Sequence, residues 1–117
     1  MSHDQHAERP PRAYEEFCAE FPALREAWDS IRRAEADGPL DPRTRRLVKL
    51  AASISARAQG GTHSATRKAL AAGASEEEIL QVVALCASLI GMPETVAAWS
   101  WVRDVLGPRS AQGQKAP

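Results

Sequence analysis

The sequence predicts an all-α protein, a compact bundle of about six helices. Apolar residues recur at helical spacing in successive segments, and glycine or proline separates one segment from the next. No segment alternates between apolar and polar residues over the length of a strand. Alanine is abundant in the third, fourth and fifth segments, where small side chains let helix axes approach closely. These observations favour helices packed against one another without a sheet.

The first two helices are predicted on either side of Pro22. Residues 14–21 place aromatic and sulfur side chains at helical spacing, which predicts a short helix. Pro22 suits the first turn of a second helix, because an amide hydrogen at that position would be unpaired in any case. This helix is expected over residues 22–36 and should end at the Asp-Gly-Pro sequence that follows. Its apolar stripe consists of Leu24, Ala27, Trp28 and Ile31.

The third and fourth helices are predicted on either side of a glycine pair. The Asp-Pro sequence at residues 41–42 is a strong start signal, since the aspartate accepts from free amides and proline presets φ. The third helix is expected to reach about residue 58, and the glycines at 60–61 should break it. Thr62 would then cap the fourth helix, and Gly73 would end that helix in a left-handed conformation.

The last two helices have clear boundaries. Ser75 followed by Glu78 forms a capping box at the start of the fifth helix. Gly91 should stop this helix, and Pro93 should open the sixth, which is expected to run to about residue 106. The fifth helix has the clearest core stripe of the chain, which consists of Ile79, Val82, Val83, Cys86, Leu89 and Ile90.

Composition argues against several classes of partner. Fifteen basic and fifteen acidic residues cancel, so no global field attracts nucleic acid or an acidic membrane surface. No apolar run approaches the ~20 residues that a membrane span needs, and the N-terminus lacks the layout of a signal peptide. Cys18 and Cys86 match no metal or redox spacing. We therefore expect a cytoplasmic protein without metal or cofactor.

The length of 117 residues suits one domain. This domain is predicted over residues 13–107, because the flanking segments 1–12 and 108–117 are polar and rich in proline. Both flanking segments are expected to be flexible tails. His3 and His6 belong to the first of them and are expected to be solvated rather than metal-bound.

The strongest site candidate is the corner between the third and fourth helices, formed by Gln59, Gly60, Gly61 and His63, with Arg67 one turn further on. Glycines let a ligand or a facing backbone approach closely. The start of the fourth helix would offer free amides and a partial positive charge, which suit a carboxylate. That dipole would keep His63 neutral and able to act as a base. The alternative is a tight turn between helices with an exposed histidine.

A basic cluster opens the third helix. Cations there oppose the helix dipole, at a cost of roughly 0.3–1 kcal/mol each when exposed, so compensation is expected. Acidic residues of the second helix are the simplest partners. An anionic ligand is the alternative, with Arg46 as its candidate contact. The cluster consists of Arg43, Arg45, Arg46 and Lys49.

The thiols and two of the tryptophans are assigned from their helical positions. Cys86 lies within the apolar stripe of the fifth helix, where a buried thiol behaves as a small hydrophobe with a raised pKa. Cys18 also belongs to an apolar stripe. Trp99 and Trp101 are two residues apart and point in nearly opposite directions. One is expected to pack inside, and the other to meet a second subunit or line a pocket at the interface.

Four elements follow one another in residues 40–101: LDPRTRRLVKLA, a helix corner near a histidine, RKALAAGASEEEI, and a long apolar helix. In this order they resemble the carboxymuconolactone decarboxylase and alkylhydroperoxidase (AhpD)-like family. The resemblance implies an all-helical subunit that assembles through its helices, often as a trimer or hexamer.

The peroxidase branch of that family uses a glutamate, a Cys-x-x-Cys pair and a histidine. A shift of two positions brings His63 under the family histidine, but neither alignment supplies the thiols. A thiolate is the nucleophile in that chemistry, and Ala, Gly or Gln cannot replace it. Aligned without gaps, the four family positions fall on Arg46, Ala58, Gly61 and Ala65.

The leading functional hypothesis is therefore independent of thiols. A small carboxylated or polar molecule would bind near Gln59, His63 and Arg67, and cofactor-free proton transfer such as decarboxylation would follow. His63 would move the proton, while Arg67 and the helix start would hold negative charge. Two alternatives stay open: peroxiredoxin activity that uses Cys18 or Cys86, and a ligand-binding or assembly protein without catalysis.

Overall fold

The structure, a computed structural model, describes residues 12–108 and contains six helices in that range. No strand occurs among these residues, so the all-α prediction is confirmed. None of the described helices has both the length and the apolar character needed to cross a membrane. The helices are α1 Arg12–Glu20, α2 Pro22–Glu35, α3 Pro42–Ser55, α4 Gln59–Ala71, α5 Glu76–Ile90 and α6 Met92–Leu106.

The two ends of the chain are not part of this description. The predicted tails, residues 1–12 and 108–117, lie outside the described residues apart from one residue at each inner boundary. The inner boundary residue of the first is Arg12, which begins α1. His3 and His6 also lie outside the described range. The predictions for these segments stay predictions.

The described residues divide into two compact units, and the first extends to Pro42. It contains α1 and α2, which contact each other. The rings of Phe17 and Phe21 lie with their centroids 5.1 Å apart, and Cys18 is buried. No residue of α2 is buried, so its apolar stripe is open to solvent. The expectation of one domain over residues 13–107 stays a prediction.

The second unit begins at Arg43 and holds the larger core. Helix α6 packs against both α4 and α5, and α4 also contacts α5. The α4 and α6 faces in the core carry small side chains, such as Ala69 and Ala98, which allow close approach. The largest apolar side chains that are almost completely buried in this core are Leu50, Ile54, Ile79 and Val102.

The start of α5 is capped as the sequence predicts. The Oγ of Ser75 accepts from the backbone N–H of Glu78 at 3.0 Å, and the Oε1 of Glu78 accepts from the N–H of Ser75 at 2.9 Å. The hydrogen bond from the Ser75 backbone, followed by that from the Arg43 guanidinium, lowers the pKa of Glu78. Ionised Glu78 therefore stabilises the fold above its unfolded pKa, and this stabilisation is lost as the pH falls through the folded pKa.

Replacing Ser75 with alanine is expected to lower the free energy of unfolding by about 1 kcal/mol, because the N–H of Glu78 loses its acceptor. Urea unfolding followed by circular dichroism measures the difference. Ser88→Ala is the matched control, since Ser88 is exposed in the last turn of the same helix, away from the cap. Equal losses in the two variants would show that the cap does not stabilise the helix.

The junction of α3 and α4 differs from the prediction. Helix α3 ends at Ser55, three residues before the expected end, and α4 already begins at Gln59. The N–H of Ala58 donates to the carbonyl of Ser53 at 3.2 Å, and Arg57 adopts a left-handed conformation with φ of 56°. This is the hydrogen-bonded helix end that usually places glycine at the left-handed position. Here the chain reverses at an arginine.

The glycine pair and Thr62 consequently lie inside α4. The expectation that Gly60 and Gly61 break the third helix, and that Thr62 caps the fourth, is wrong. Thr62 is fully buried, and its N–H donates to the carbonyl of Ala58 at 2.8 Å. A Cβ at Gly61 would lie 3.2 Å from the Cβ of Ala58 and 3.5 Å from the Oγ of Ser53. Glycine at position 61 thus lets the start of α4 pack closely against the end of α3.

The end of α4 follows the prediction. The helix stops at Ala71, and Gly73 takes a left-handed φ of 98°. The N–H of Ala74 donates to the carbonyl of Ala69 at 3.0 Å, which closes the same kind of helix end as at Arg57.

Candidate functional site

His63 forms a hydrogen bond with a carboxylate on another helix. It lies one turn into α4, and its Nε2 is 2.9 Å from the Oδ2 of Asp104 in the last turn of α6. The histidine side chain is 25 % exposed and the aspartate 58 % exposed. The hydrogen bond becomes an ion pair when the ring is protonated. The pair has the composition of the dyads in which a carboxylate orients an imidazole for proton transfer.

Asp104 was not found by the sequence reasoning. It is 41 residues away from His63 along the chain, so no local spacing links the two side chains. One signal was available, because Asp104 lies in the last turn of a helix, where a negative charge opposes the helix dipole. A carboxylate kept at an unfavourable helix end needs a partner, and His63 is that partner here.

His63 lies just beyond the first turn of α4 and has a carboxylate as its neighbour. The dipole acts within the first turn of a helix, and the unpaired amides of α4 belong to Gln59, Gly60 and Gly61. His63 lies beyond them, and the nearest described charge on its ring is the carboxylate of Asp104. Asp104 is thus a partner of His63 that the sequence analysis did not include.

The catalytic candidate and two of the candidate ligand-binding residues share one stripe of α4. Gln59, His63 and Arg67 follow one another at intervals of four residues, so their side chains lie on one helix face. A Cβ at Gly60 would meet no atom within 4 Å, so the space beside the helix start is open. No side chain caps the start of α4, which leaves its first amides available to an anion.

Arg46 is not joined to this stripe. It is half-buried on α3 and makes no described hydrogen bond or ion pair with Gln59, His63 or Arg67. Its neighbour Arg43 pairs with Glu78 of α5, and the expected pairing of the basic cluster with the second helix stays a prediction. At least part of the basic cluster is thus compensated within the second unit.

A second polar contact lies beside Asp104. The Nη1 of Arg103 is 2.9 Å from the Oε2 of Glu76, and it also donates to the carbonyl of Gly107 at 3.2 Å. The guanidinium carbon of Arg103 stands 5.8 Å from the ring centroid of Trp99, within range of a cation–π interaction. This contact fixes one face of Trp99.

The two tryptophans of α6 are placed differently, as their spacing predicts. Trp101 is half-buried and packs against the core, whereas Trp99 is 43 % exposed. Trp99 is therefore the one with a face available to a partner. Its expected role at an interface stays a prediction.

At least two apolar grooves open on the described part of the second unit. The first, of about 390 Å³, lies between α5 and α6, and we call it the α5–α6 groove. The second, of about 280 Å³, lies between α3 and α5 and includes Cys86 in its lining. Neither groove is lined by Gln59, His63 or Arg67. The polar stripe of α4 and the apolar grooves are thus separate features.

The thiols have the surroundings of core residues. Cys18 and Cys86 are free and buried, and burial raises the pKa of the Cys86 thiol. A raised pKa lowers the fraction of thiolate, the form that attacks peroxides. Among residues 12–108 there is no group of three or more His, Cys, Asp or Glu side chains that could hold a metal ion.

The protein is an all-α protein in which an imidazole–carboxylate pair joins α4 and α6. Residues 22–104 match the carboxymuconolactone decarboxylase family. The match covers more than half of the chain, so the chain belongs to this family. No curated protein and no solved structure matches the chain.

Proposed function

We propose that the protein binds a small carboxylated or otherwise polar organic molecule beside His63 and catalyses a cofactor-free proton transfer such as decarboxylation. The hydrogen bond of 2.9 Å between His63 and Asp104 carries this proposal. A carboxylate in that position orients the ring, and an imidazole held in this way can give and take a proton. The family name makes a carboxylated lactone the first substrate class to test.

The proposed reaction assigns one task to each residue. Arg67 and the first amides of α4 bind the negative charge of the substrate. The bond between the substrate carbon and its carboxylate breaks, and CO₂ leaves. The electron pair of that bond stays on the substrate and is delocalised onto a conjugated carbonyl, which gives an enolate. Protonated His63 then donates a proton to carbon, while Asp104 holds the ring. Water returns the proton to His63, so the cycle needs no thiol.

The test is CO₂ release from a panel of carboxylated lactones by the wild type and by Asp104→Asn. The variant is expected to lose about tenfold to a hundredfold in kcat, because an amide stabilises the imidazolium less well than a carboxylate does. Glu20→Gln makes the same charge change at an exposed position on α1 and should leave kcat unchanged. The proposal fails if the wild type releases no CO₂ from any member of the panel, or if Asp104→Asn matches the wild type.

A ligand-binding protein without catalysis is the second candidate. It is favoured by the close packing of Gly61 against Ser53 and Ala58, which leaves no room for a ligand at that glycine. This candidate predicts calorimetric binding of an anionic lactone that depends on Arg67, with no turnover. Peroxidase activity is not proposed, since the buried thiol of Cys86 has a raised pKa.

We further propose that the protein is a homo-oligomer, a trimer or hexamer, assembled through helices. The exposed ring of Trp99 supports this, because large aromatic side chains commonly anchor interfaces. Light scattering coupled to size-exclusion chromatography measures the mass directly.

A further inference from the structure

The helix pair α1–α2 carries an apolar stripe that is about half exposed. Five large side chains along it are each 46–52 % exposed, although they follow the spacing of a buried helix face. Contiguous exposed apolar surface of this kind marks an interaction site. The stripe consists of Phe17, Phe21, Leu24, Trp28 and Ile31.

The α5–α6 groove is an uncovered apolar surface on the other unit. Met92 is 65 % exposed, Val96 54 % and Trp99 43 %. Apart from Thr95, its lining is apolar, and the groove measures about 390 Å³. An apolar groove between two helices is a typical seat for the apolar face of a third.

The dimensions of the two surfaces match. The groove extends along α5 from Ala87 to Leu80, which are seven residues apart. Leu24 and Ile31 on α2 are also seven residues apart, which corresponds to ~10 Å along a helix in both cases. Trp28 falls midway along this length, opposite the middle of the groove.

The charges at the ends of the two surfaces are complementary. Beyond Leu80, the first turn of α5 carries three glutamates; Glu76 and Glu77 are exposed, while Glu76 pairs with Arg103 and Glu78 with Arg43. Beyond Ile31, the last turn of α2 carries Arg32 and Arg33 together with Glu35, so two cations and one anion leave this end with a net positive charge. When α2 runs antiparallel to α5, its apolar stripe covers the groove and its basic end meets the acidic end of α5. By contrast, the α3–α5 groove is smaller and begins on the helix turn that carries the basic cluster.

We propose that α2 of one copy of this chain lies in the α5–α6 groove of a second copy. Each copy has both the α2 stripe and the α5–α6 groove, so the contacts are made reciprocally in a pair or close into a ring. The inference rests on the proposed homo-oligomer and names its contact surface. In this arrangement, α2 of one copy covers Trp99 of the second copy, and the groove of the second copy covers the apolar face of that α2.

Disulfide trapping tests the contact. In the full chain with Cys18→Ser and Cys86→Ser, the substitutions Trp28→Cys and Val96→Cys place one thiol on each surface. Mild oxidation is expected to give a covalent species of twice the chain mass or more on non-reducing gels. The matched control replaces Val96→Cys with Val48→Cys, since Val48 is 53 % exposed in the α3–α5 groove. No crosslinked species of higher mass is expected from that control.

Three other outcomes would contradict the proposed contact. A disulfide within one chain, identified by mass spectrometry after alkylation, would mean that the hairpin covers its own groove. An oligomeric wild type without the expected crosslink, or with equal crosslinking in the control, would remove this contact but leave the proposed assembly. A monomeric wild type in light scattering would remove both.

A charge reversal provides a second measurement that does not disturb the apolar surfaces. Arg32→Glu is expected to raise the dissociation constant of the oligomer about tenfold by repulsion from Glu77. Adding Glu77→Arg should restore most of this loss, because the pair is then reversed rather than broken. An additive double variant would contradict the proposed register.

Discussion

Replacing His63 with glutamine is expected to lower kcat by roughly 10²–10⁴-fold on any substrate that the wild type decarboxylates. The amide of glutamine can still donate a hydrogen bond to Asp104, so the contact between α4 and α6 is kept. It cannot carry the proton that the product carbon needs, because an amide is not protonated near neutral pH. The loss should therefore fall on kcat, with KM changed little.

Two further variants separate chemistry from binding and folding. Arg67→Gln is expected to raise KM more than it lowers kcat, since Arg67 is assigned to hold the substrate charge. His6→Gln makes the same substitution at a histidine outside the described residues and should have no effect. Thermal unfolding of His63→Gln should match the wild type. A variant with wild-type kcat would remove His63 from the mechanism.

Replacing Ile79 with alanine is expected to lower the free energy of unfolding by about 2–5 kcal/mol. Ile79 is completely buried at 0 % exposure in the core of the second unit. The shorter side chain loses its apolar contacts and leaves a cavity that helices held by close contacts cannot fully close. A loss of that size is a large part of the stability of a small domain.

The matched control for this prediction lies on the same helix. Leu89 is 81 % exposed, so Leu89→Ala removes apolar atoms without opening a cavity in the core. Its effect should stay within about 0.5 kcal/mol in urea unfolding at a fixed protein concentration. Comparable losses of unfolding free energy for the two variants would mean that burial of Ile79 does not stabilise the core more than the exposed Leu89 does.

Local signals in the sequence were sufficient where the structure depends on neighbouring residues. The capping box at Ser75, the left-handed Gly73 and the helix stop at Gly91 were all predicted and are all confirmed. Each depends on hydrogen bonds or dihedral angles within a few residues, so composition and spacing contain the needed information. The family could be predicted for a related reason, because the resemblance consists of short sequence elements that follow one another in a fixed order.

The α3–α4 junction shows where local signals fail. The same type of helix end occurs at Gly73 and at Arg57, but glycine marks only the first in the sequence. Arginine adopts the left-handed conformation at Arg57 against its own preference. In this junction Gly61 packs closely against the end of α3. The spacing of residues in the sequence does not predict this contact between helices.

The apolar periodicity predicted which helix faces are buried, but not whether the same chain or a second copy covers them. Leu89 belongs to the predicted core stripe of α5 and is the most exposed of its members, and the large side chains of the α2 stripe are 47–52 % exposed. Periodicity records that a helix face is apolar. It does not distinguish a core residue from one that a second copy would cover.

The sequence by itself determined the all-α class, most helix boundaries, the family and the absence of a Cys-x-x-Cys pair. These features depend on residue type and near neighbours, which a linear chain contains in full. Only the tertiary structure paired His63 with Asp104, buried Thr62, and separated Trp101 in the core from Trp99 on the surface. Such pairings join residues far apart along the chain, and close packing of whole helices decides them.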